Sequence, residues 1–302
     1  MARRLVQISV ILIAVVALLI ILGLREARRS VVIAQYQIHV AALRCTPRPF
    51  RVVVVGDLHI SPSVTTPERV AAVVEQANAL KPDLVLLVGD YLSTAWPSGY
   101  ASQYGALAPL RNLKPRLASV AILGNNDLND GAQITQLLKA NGIFVLNNGV
   151  FVTPEVAVKG LAELTSNNWR PSLVEKGYEN ALKRLRIAPP PLTLWLAHHP
   201  GMFDRIPSTG DMMFAGHTHG GQFLPVITLP VIKGVVVVGR LMGLRAGWPA
   251  EQYVRGLYTS GKKQMIVTSG VGTSILPLRL GVPPEIVLAV FSGCGGAAPP
   301  ES

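Results

Sequence analysis

One local pattern recurs through this chain and constrains its fold more than any other feature. An apolar, β-branched run is followed by glycine and then by aspartate or asparagine in VVVVGD at 52–57, VLLVGD at 85–90 and VAILGN at 120–125. Two variants, LTLWLAH at 192–198 and MMFAGH at 212–217, end in histidine. Short, continuous apolar runs of this kind predict strands that are buried on both faces.

The segments between these strands predict helices. Residues 66–80 begin with a threonine cap and a proline and continue with helical spacing. Residues 130–141 show the same spacing and stop before Gly142, whereas Pro109 and Pro115 interrupt the pattern in the intervening segment. This alternation indicates an α/β fold with right-handed crossovers and a mainly parallel sheet covered by helices.

The residues at the strand ends predict a metal site. The carboxyl ends of parallel strands lie along one edge of a sheet, so these side chains are expected to converge. The spacings Asp57-x-His59 and His217-x-His219 predict that each pair points to one side of an extended segment. The expected metal ligands are Asp57, His59, Asp90, Asn125, His198, His217 and His219.

The chemistry of this ligand set indicates which ions it would bind. Carboxylate, amide and imidazole groups without thiolate favour Mn²⁺, with Fe²⁺ or Zn²⁺ as alternatives. Seven side chains are too many for one ion that keeps a substrate position, so we expect two ions roughly 3.5–4 Å apart with a bridging carboxylate. The residues therefore predict hydrolysis of a phosphate ester by attack of metal-bound hydroxide.

Five motifs resemble those of the calcineurin-like metallophosphoesterases. They are DLH at 57–59, GDY at 89–91, GNND at 124–127, HHP at 198–200 and GHTHGGQ at 216–222. Their order and spacing agree with that family over roughly residues 50–292, and residues 255–288 resemble its bacterial membrane-associated phosphodiesterase branch. The resemblance implies a four-layer α/β/β/α sandwich and a metal-dependent phosphoric ester hydrolase with two metal ions.

The resemblance also implies how the ligands divide between the two ions. One ion would be held by Asp57, His59 and His219. The other would be held by Asn125, His198 and His217, and Asp90 would bridge the two.

The sequence departs from the family at Asn126, where most members have histidine. In the family that histidine is oriented by the following acid, here Asp127, and helps the leaving oxygen depart, which makes Asn126 and Asp127 the candidate catalytic residues. Asparagine donates a hydrogen bond but cannot transfer a proton near neutral pH. Either the protein is a catalytically weak metal-binding scaffold, or its leaving group needs no protonation. His199 is a candidate replacement, and a structural role for it is the alternative.

The N-terminus contains 20 uncharged residues from Leu5 to Leu24. At about 1.5 Å per residue this run spans the roughly 30 Å hydrocarbon layer of a bilayer. A cleaved signal peptide would have a shorter apolar region that ends in small residues, whereas this run continues into REARR at 25–29. We therefore expect an uncleaved single-pass helix in a membrane, most simply the bacterial inner membrane. Basic residues flank both ends and leave the orientation open.

Charge and cysteine content exclude other classes of function. The formal net charge is +11, but the basic residues are scattered and form no stripe with interleaved aromatics, so nucleic-acid binding is not expected. The two cysteines, Cys45 and Cys294, lie far apart, which excludes a disulfide scaffold or a cysteine-rich zinc module.

The expected organisation is a short flank at 1–4, a transmembrane anchor at 5–24, a linker and first strand at 25–49, a metallophosphoesterase domain at 50–292 and a disordered tail at 293–302. The apolar residues 224–244 predict either a membrane-dipping lip or two buried strands. Leu161–Arg170 is expected on a loop near the site, with Trp169 either in packing or facing substrate.

Taken together, these features predict a membrane-anchored phosphoesterase that acts on a phosphodiester or pyrophosphate. A lipid or UDP-lipid-sugar substrate is the hypothesis that the anchor favours. The alternative within the same class is a broad-specificity phosphatase of cell-envelope material.

Overall fold

The computed structural model describes residues 2–43, 48–93, 104–207, 210, 212–222 and 252–293. Within these residues the strands are β1 Val32–His39, β2 Phe50–Val55, β3 Leu84–Leu87, β4 Ala118–Ala121, β5 Phe144–Val145, β6 Gly149–Val152, β7 Ala157–Gly160, β8 Thr193–Leu196, β9 Met212–Ala215, β10 Gly256–Ser260, β11 Lys263–Val267 and β12 Glu285–Ser292. The α-helices there are α1 Ala2–Arg28, α2 Pro67–Ala79, α3 Gly131–Ala140 and α4 Pro171–Leu185.

The strands of the described residues form two six-stranded mixed sheets. The first has the order β1-β12-β2-β3-β4-β5, in which β2 to β5 run parallel and β12 is antiparallel to β2. The second has the order β10-β11-β9-β8-β7-β6, with a parallel centre and antiparallel edge strands. The predicted α/β class is confirmed.

Alternating side chains in each strand build a four-layer arrangement. In β2, Val52 and Val54 pack between the two sheets, whereas Val53 and Val55 pack against α2 and α3. In β8, Leu194 faces the inter-sheet core and its neighbour Trp195 packs on the outer side against α4. Because every central strand is buried on both faces, its sequence is apolar without a visible period of two.

The strands that precede the expected ligands are divided between the two sheets. β2, β3 and β4 belong to the first sheet, and β8 and β9 belong to the second. The apolar pattern by itself predicted a mainly parallel sheet covered by helices, and it did not distinguish one such sheet from two packed ones. The physical reason is that the sequence of a strand is equally apolar whether its second face packs against a helix or against another sheet.

The helix boundaries predicted from capping signals agree with the structure. Thr66 caps α2, with its Oγ1 accepting from the Arg69 amide at 3.4 Å, and a proline follows at the first helical position. The α3 helix ends at Ala140, and Gly142 follows with a φ of +78°. The segment that contains Pro109 forms a 3₁₀ helix, Tyr104–Asn112.

The helix α1 is long and apolar, and most of it lies away from the sheets. The stretch Val6–Arg28 contains an 18-residue window with a mean hydropathy of 3.0, and it is the one helix in the described part of the chain that is long and apolar enough to cross a membrane. Its C-terminal turns contact the domain, where Gly23 and Ala27 are buried. The strand β1 follows and pairs with β12, so the segment after α1 forms the edge of the first sheet.

Candidate metal centre

Six of the seven expected ligands form two groups of buried or half-buried side chains. The potential ligand atoms within each group all lie within 4.8 Å of one another. The first group is Asp57, His59 and His219, and the second is Asp90, His198 and His217. The seventh residue, Asn125, lies beside the second group.

The first group is held together by nitrogen and carboxylate atoms at close range. Nε2 of His59 lies 2.9 Å from Nε2 of His219, and Nε2 of His219 lies 3.7 Å from Oδ1 of Asp57. All three residues are buried. Two imidazole nitrogens and a carboxylate oxygen thus converge on one point, as metal ligands do.

In the second group, the amide oxygen of Asn125 lies between two imidazoles. Oδ1 of Asn125 is 2.8 Å from Nδ1 of His217 and 3.1 Å from Nε2 of His198. The other nitrogen of His198, Nδ1, is 2.8 Å from the carbonyl oxygen of Val88. Since a carbonyl oxygen only accepts, this contact fixes the proton on Nδ1 and leaves the Nε2 lone pair for a ligand.

Asp90 joins the two groups. Its Oδ2 lies 3.3 Å from Nε2 of His59 in the first group and 3.4 Å from Nε2 of His198 in the second. A carboxylate in this position can contact two ions at once, which is the arrangement of a binuclear centre.

The electrostatics of the cluster fit bound cations. Burial raises the pKa of the Asp57 carboxyl to about 6, and burial with the neighbouring histidines lowers the pKa of His217 to about 3. Burial alone would lower the pKa of His198, but the Asp90 carboxylate outweighs it and raises that pKa to about 10. A proton on His198 therefore balances the charge of the buried Asp90 carboxylate, and a divalent ion would displace that proton and supply the positive charge instead.

The backbone at the candidate ligands is unusual, and it corrects one prediction from the sequence. Asp57 and His59 have φ values of 51° and 38°, and His217 and His219 have 73° and 52°. The prediction that each pair sits on an extended segment is therefore wrong, because these residues are in the left-handed region. Each such non-glycine residue is strained by about 1–3 kcal/mol, and such strain concentrates at functional sites.

The glycines before the ligands allow close approach within the centre. A Cβ on Gly124 would lie 2.2 Å from Oδ1 of Asp90, and a Cβ on Gly216 would lie 2.3 Å from Oδ2 of Asp57. In the structure the close neighbour is the carboxylate of another candidate ligand.

Asn126 contacts the carboxylate that joins the groups. Its side-chain Nδ2 donates to Oδ2 of Asp90 at 2.6 Å, and its backbone amide donates to Oδ1 of the same residue at 2.9 Å. The side chain therefore lies at the centre, and it holds Asp90 from the side of the 3₁₀ turn Asn125–Asp130.

Asp127 is buried and accepts from backbone amides. Its Oδ2 accepts from the amides of Asp90 and Gly124, and its Oδ1 accepts from the amide of Tyr91, each at 2.8 Å. Burial and the nearby Asp90 charge raise the pKa of this carboxyl to about 7. These contacts tie the loop after β3 to the loop after β4, so Asp127 positions two segments that carry candidate ligands.

His199 lies at the edge of the centre, whereas Trp169 lies in the outer core of the second sheet. The ring of His199 is half-buried and 4.6 Å from the ring of His217, and its Nδ1 accepts from the Gly201 amide at 3.0 Å. Trp169 packs against the outer core of the second sheet, and the Arg205 guanidinium lies 5.4 Å from its ring. The packing interpretation of Trp169 therefore accounts for its contacts.

Sequence reasoning missed Arg279, which is fully buried beside the centre. Its guanidinium donates to the carbonyl oxygens of Ser269, Gly270 and Gly272, and its Nη2 lies 3.5 Å from Nδ1 of His219. Burial lowers the pKa of Arg279 to about 10. A single arginine in the stretch LPLRLG carries no periodic signal and no spacing that relates it to the candidate ligands, so it could not be singled out before the chain was folded.

Two sequence features lie outside the described residues. The apolar stretch 224–244 is one, and the other is the tail from 294 onward.

Comparison with known proteins agrees with this geometry. The model of the family described as calcineurin-like phosphoesterase matches residues 50–221, more than half of the chain. The chain is 30% identical over 253 residues to phosphodiesterase YaeI of Escherichia coli, covering 80% of this chain and 81% of that protein.

Two further relatives extend the comparison. The metallophosphoesterase YkuE of Bacillus subtilis is 29% identical, with 79% of this chain and 78% of that protein covered. A Danio rerio protein named as a transmembrane protein with a metallophosphoesterase domain is 27% identical, with 94% of this chain and 62% of that protein covered. The chain belongs to the calcineurin-like phosphoesterase family and is a metal-dependent phosphoric ester hydrolase.

Proposed function

We propose that this chain is a membrane-anchored, binuclear phosphodiesterase or pyrophosphatase that uses Mn²⁺ or a similar divalent ion. The observation that carries the proposal is the position of Asp90, whose Oδ2 lies 3.3 Å and 3.4 Å from one histidine nitrogen of each ligand group. Asp57, His59 and His219 would hold one ion, and Asn125, His198 and His217 the other, with Asp90 between them.

The side chains of the centre supply ligands that are already oriented. When bound, two divalent ions would lower the pKa of a coordinated water and polarise the phosphoryl oxygens of an ester. The Val88 carbonyl holds the His198 ring in the tautomer that leaves Nε2 free. Asp127 fixes the loops after β3 and β4 through three backbone amides.

Asn126 supports a substrate with a good leaving group. Its amide can donate a hydrogen bond but cannot transfer a proton, and general acid assistance is typically worth about 10²–10⁴ in rate. An ester with an alkoxide leaving group would lose that factor. A nucleoside monophosphate leaving from a pyrophosphate is already a weak base and would lose little. The proposal therefore favours an activated diester or a pyrophosphate over an ordinary monoester.

Contacts at the end of α1 support an anchor that is retained. The Arg279 amide donates to the Gly23 carbonyl oxygen at 3.0 Å, and Ala27 is fully buried in the domain. The Arg69 guanidinium donates to the carbonyl oxygens of Arg28 and Arg29 at 2.8 Å and 2.9 Å, where a cation also complements the helix dipole. Removing α1 would expose this packed surface and leave the Arg69 contacts unmade.

The anchor in turn supports a substrate that resides in the membrane. A domain tethered to a bilayer meets lipid phosphate esters at high effective concentration. A lipid phosphodiester or a UDP-linked lipid sugar is therefore the substrate class that we propose, with a broad-specificity envelope phosphatase as the alternative.

Parallel hydrolysis assays on the detergent-solubilised full chain test the reaction. Bis(4-nitrophenyl) phosphate, 4-nitrophenyl phosphate and a UDP-linked pyrophosphate are compared with and without Mn²⁺. We expect Mn²⁺-dependent turnover that favours the diester or pyrophosphate and falls by about 10²-fold or more in Asp90→Asn. The matched control is Asp130→Asn, which is the same isosteric change. Asp130 precedes α3, and its side chain makes no capping hydrogen bond to that helix.

Two results would count against the proposal. Equal activity in Asp90→Asn and wild type would show that the Asp90 carboxylate does not bind the catalytic ions. Absence of turnover on all three substrates, with Mn²⁺ bound in an equilibrium titration, would instead favour the metal-binding scaffold that Asn126 allows.

A further inference from the structure

A loop close to the metal centre presents two large apolar side chains to solvent. This segment comprises residues 274–278 and is called the 274–278 loop. Its Ile275 and Leu276 side chains are 62% and 49% exposed. Ile275 also has a φ of +62°, a conformation that is rare for a β-branched residue. An exposed apolar pair on a strained backbone indicates a surface that contacts something apolar.

The loop is fixed in this conformation by Gln222, which belongs to the GHTHGGQ motif. The Gln222 side-chain Nε2 donates to the carbonyl oxygens of Ser274 and Leu276 at 2.9 Å and 3.1 Å, and its Oε1 accepts from the Ser274 amide at 2.9 Å. Gln222 is buried. The exposure of Ile275 and Leu276 is therefore a built feature of the fold.

The loop ends against the apolar helix α1. A Cβ on Gly23 would lie 3.2 Å from Cβ of Leu278, and the next residue, Arg279, donates its amide to the Gly23 carbonyl oxygen at 3.0 Å. The small residues Gly23 and Ala27 are four apart and form the buried face of α1 at this contact. The 274–278 loop is thus tied to one particular depth along α1.

That depth is the boundary of the proposed membrane span. The uncharged run ends at Leu24, one residue after Gly23, and Arg25 and Arg28 follow it. Leu276 is two residues from Leu278, and each residue extends at most about 3.6 Å, so it lies within about 7 Å of that contact. The interfacial region reached by membrane-surface segments is about 5–10 Å deep.

We propose that the 274–278 loop inserts Ile275 and Leu276 into the interface of the bilayer that holds α1, and so fixes the metal centre at the membrane surface. This inference rests on the proposed anchor. Arg279 links the loop to the centre, because its amide contacts α1 and its Nη2 lies 3.5 Å from Nδ1 of His219. The phosphate ester that fits this placement is one held at the headgroup level of a lipid.

A fluorescent probe at Leu276 tests the contact in the full chain. Leu276→Cys is made with Cys45→Ser and Cys294→Ser, labelled with an environment-sensitive nitrobenzoxadiazole dye and reconstituted into phosphatidylethanolamine–phosphatidylglycerol vesicles. The matched control is Leu185→Cys, which is 46% exposed at the end of α4, the helix that packs mainly against β6. We expect a shift of emission to shorter wavelength and quenching by shallow doxyl-labelled lipids at residue 276, and neither at residue 185.

The outcomes separate this inference from the anchor itself. Extraction of the chain from vesicles by alkaline carbonate would overturn the anchor and, with it, the loop contact. Retention in the vesicles with a water-like, unquenched probe at residue 276 would overturn the loop contact alone. A shifted but unquenched probe would mean that protein covers the loop, which also overturns the contact with lipid. An unchanged melting temperature of each labelled variant verifies that it is folded.

Discussion

The close approach of Gly124 to Asp90 allows the centre to be perturbed without removing any ligand. Gly124 has a φ of −101° and a ψ of −179°, a backbone conformation that alanine adopts freely. A Cβ there would lie 2.2 Å from Oδ1 and 2.6 Å from the backbone nitrogen of Asp90. Ordinary contact needs about 3.4 Å or more, so Gly124→Ala must displace the Asp90 segment by roughly 1 Å.

That displacement predicts a large loss of activity with a moderate loss of stability. A misplacement of about 1 Å in a catalytic centre can reduce the rate about 10²-fold, and forcing one extra carbon into a packed site costs about 1–3 kcal/mol. We therefore expect Gly124→Ala to lower kcat/KM for bis(4-nitrophenyl) phosphate by about 10²-fold at saturating Mn²⁺. Its free energy of unfolding, measured with urea, should fall by about 1–3 kcal/mol.

Gly177→Ala is the matched control for this prediction. Gly177 lies inside α4, and an added Cβ there meets nothing within 4 Å. Alanine in a helix interior is favoured over glycine by about 0.5–1 kcal/mol, so this variant should be slightly more stable and equally active. Full activity in Gly124→Ala would refute the reasoning, because it would mean that Asp90 can move without consequence.

Three further predictions concern the metal, the departure from the family and a helix cap. Removing divalent ions with a chelator should lower the melting temperature measured by differential scanning calorimetry. Adding Mn²⁺ at 100 times its Kd should raise the free energy of unfolding by about 2.7 kcal/mol in wild type, and by much less in Asp90→Asn. Asn126→His should raise the turnover of alkyl phosphate esters relative to nitrophenyl esters by about tenfold or more, because it restores a proton donor, whereas Asn129→His in the same turn should not. The same alkyl-to-nitrophenyl turnover ratio in both variants would count against a role of residue 126 in protonating the leaving group. Thr66→Ala should reduce the free energy of unfolding by about 1 kcal/mol through loss of the α2 cap, with Thr66→Ser close to wild type in the same urea titration.

The strand ends show how much of the centre the sequence could predict. Burial on both faces made β2 and β3 recognisable as apolar runs, and a polar residue after each run marked where the chain leaves the sheet. The candidate ligands could be found from this alone because strand polarity fixes which end of a strand faces the site. The division of the strands between two sheets could not be found, since the sequence of a doubly buried strand does not say what covers it.

The contacts of α1 and Arg279 mark the limit of this reasoning. Gly23 and Ala27 are ordinary small residues within or beside an apolar run, and their role depends on the loop that packs against them. Arg279 is buried because several carbonyl oxygens happen to converge on it in the folded chain. Contacts between residues this distant in sequence leave no local pattern, and only the folded chain brings them together.

The left-handed backbone at the candidate ligands explains why their spacing in the sequence did not predict their geometry. An extended segment would place Asp57 and His59 on one side by the alternation of strand side chains, yet both residues have positive φ. Hydrogen bonds across to the neighbouring loop hold them there, as the Asp57 amide donates to the Gly89 carbonyl oxygen and the His59 amide to that of Asp90, each at 3.0 Å. The parallel pairing of β2 with β3 thus continues past the strand ends in a distorted form. Strain of about 1–3 kcal/mol at each residue persists only because the surrounding sheet determines the path of both loops. The buried, paired strands β2 and β3 therefore determine where the candidate ligands Asp57 and His59 lie.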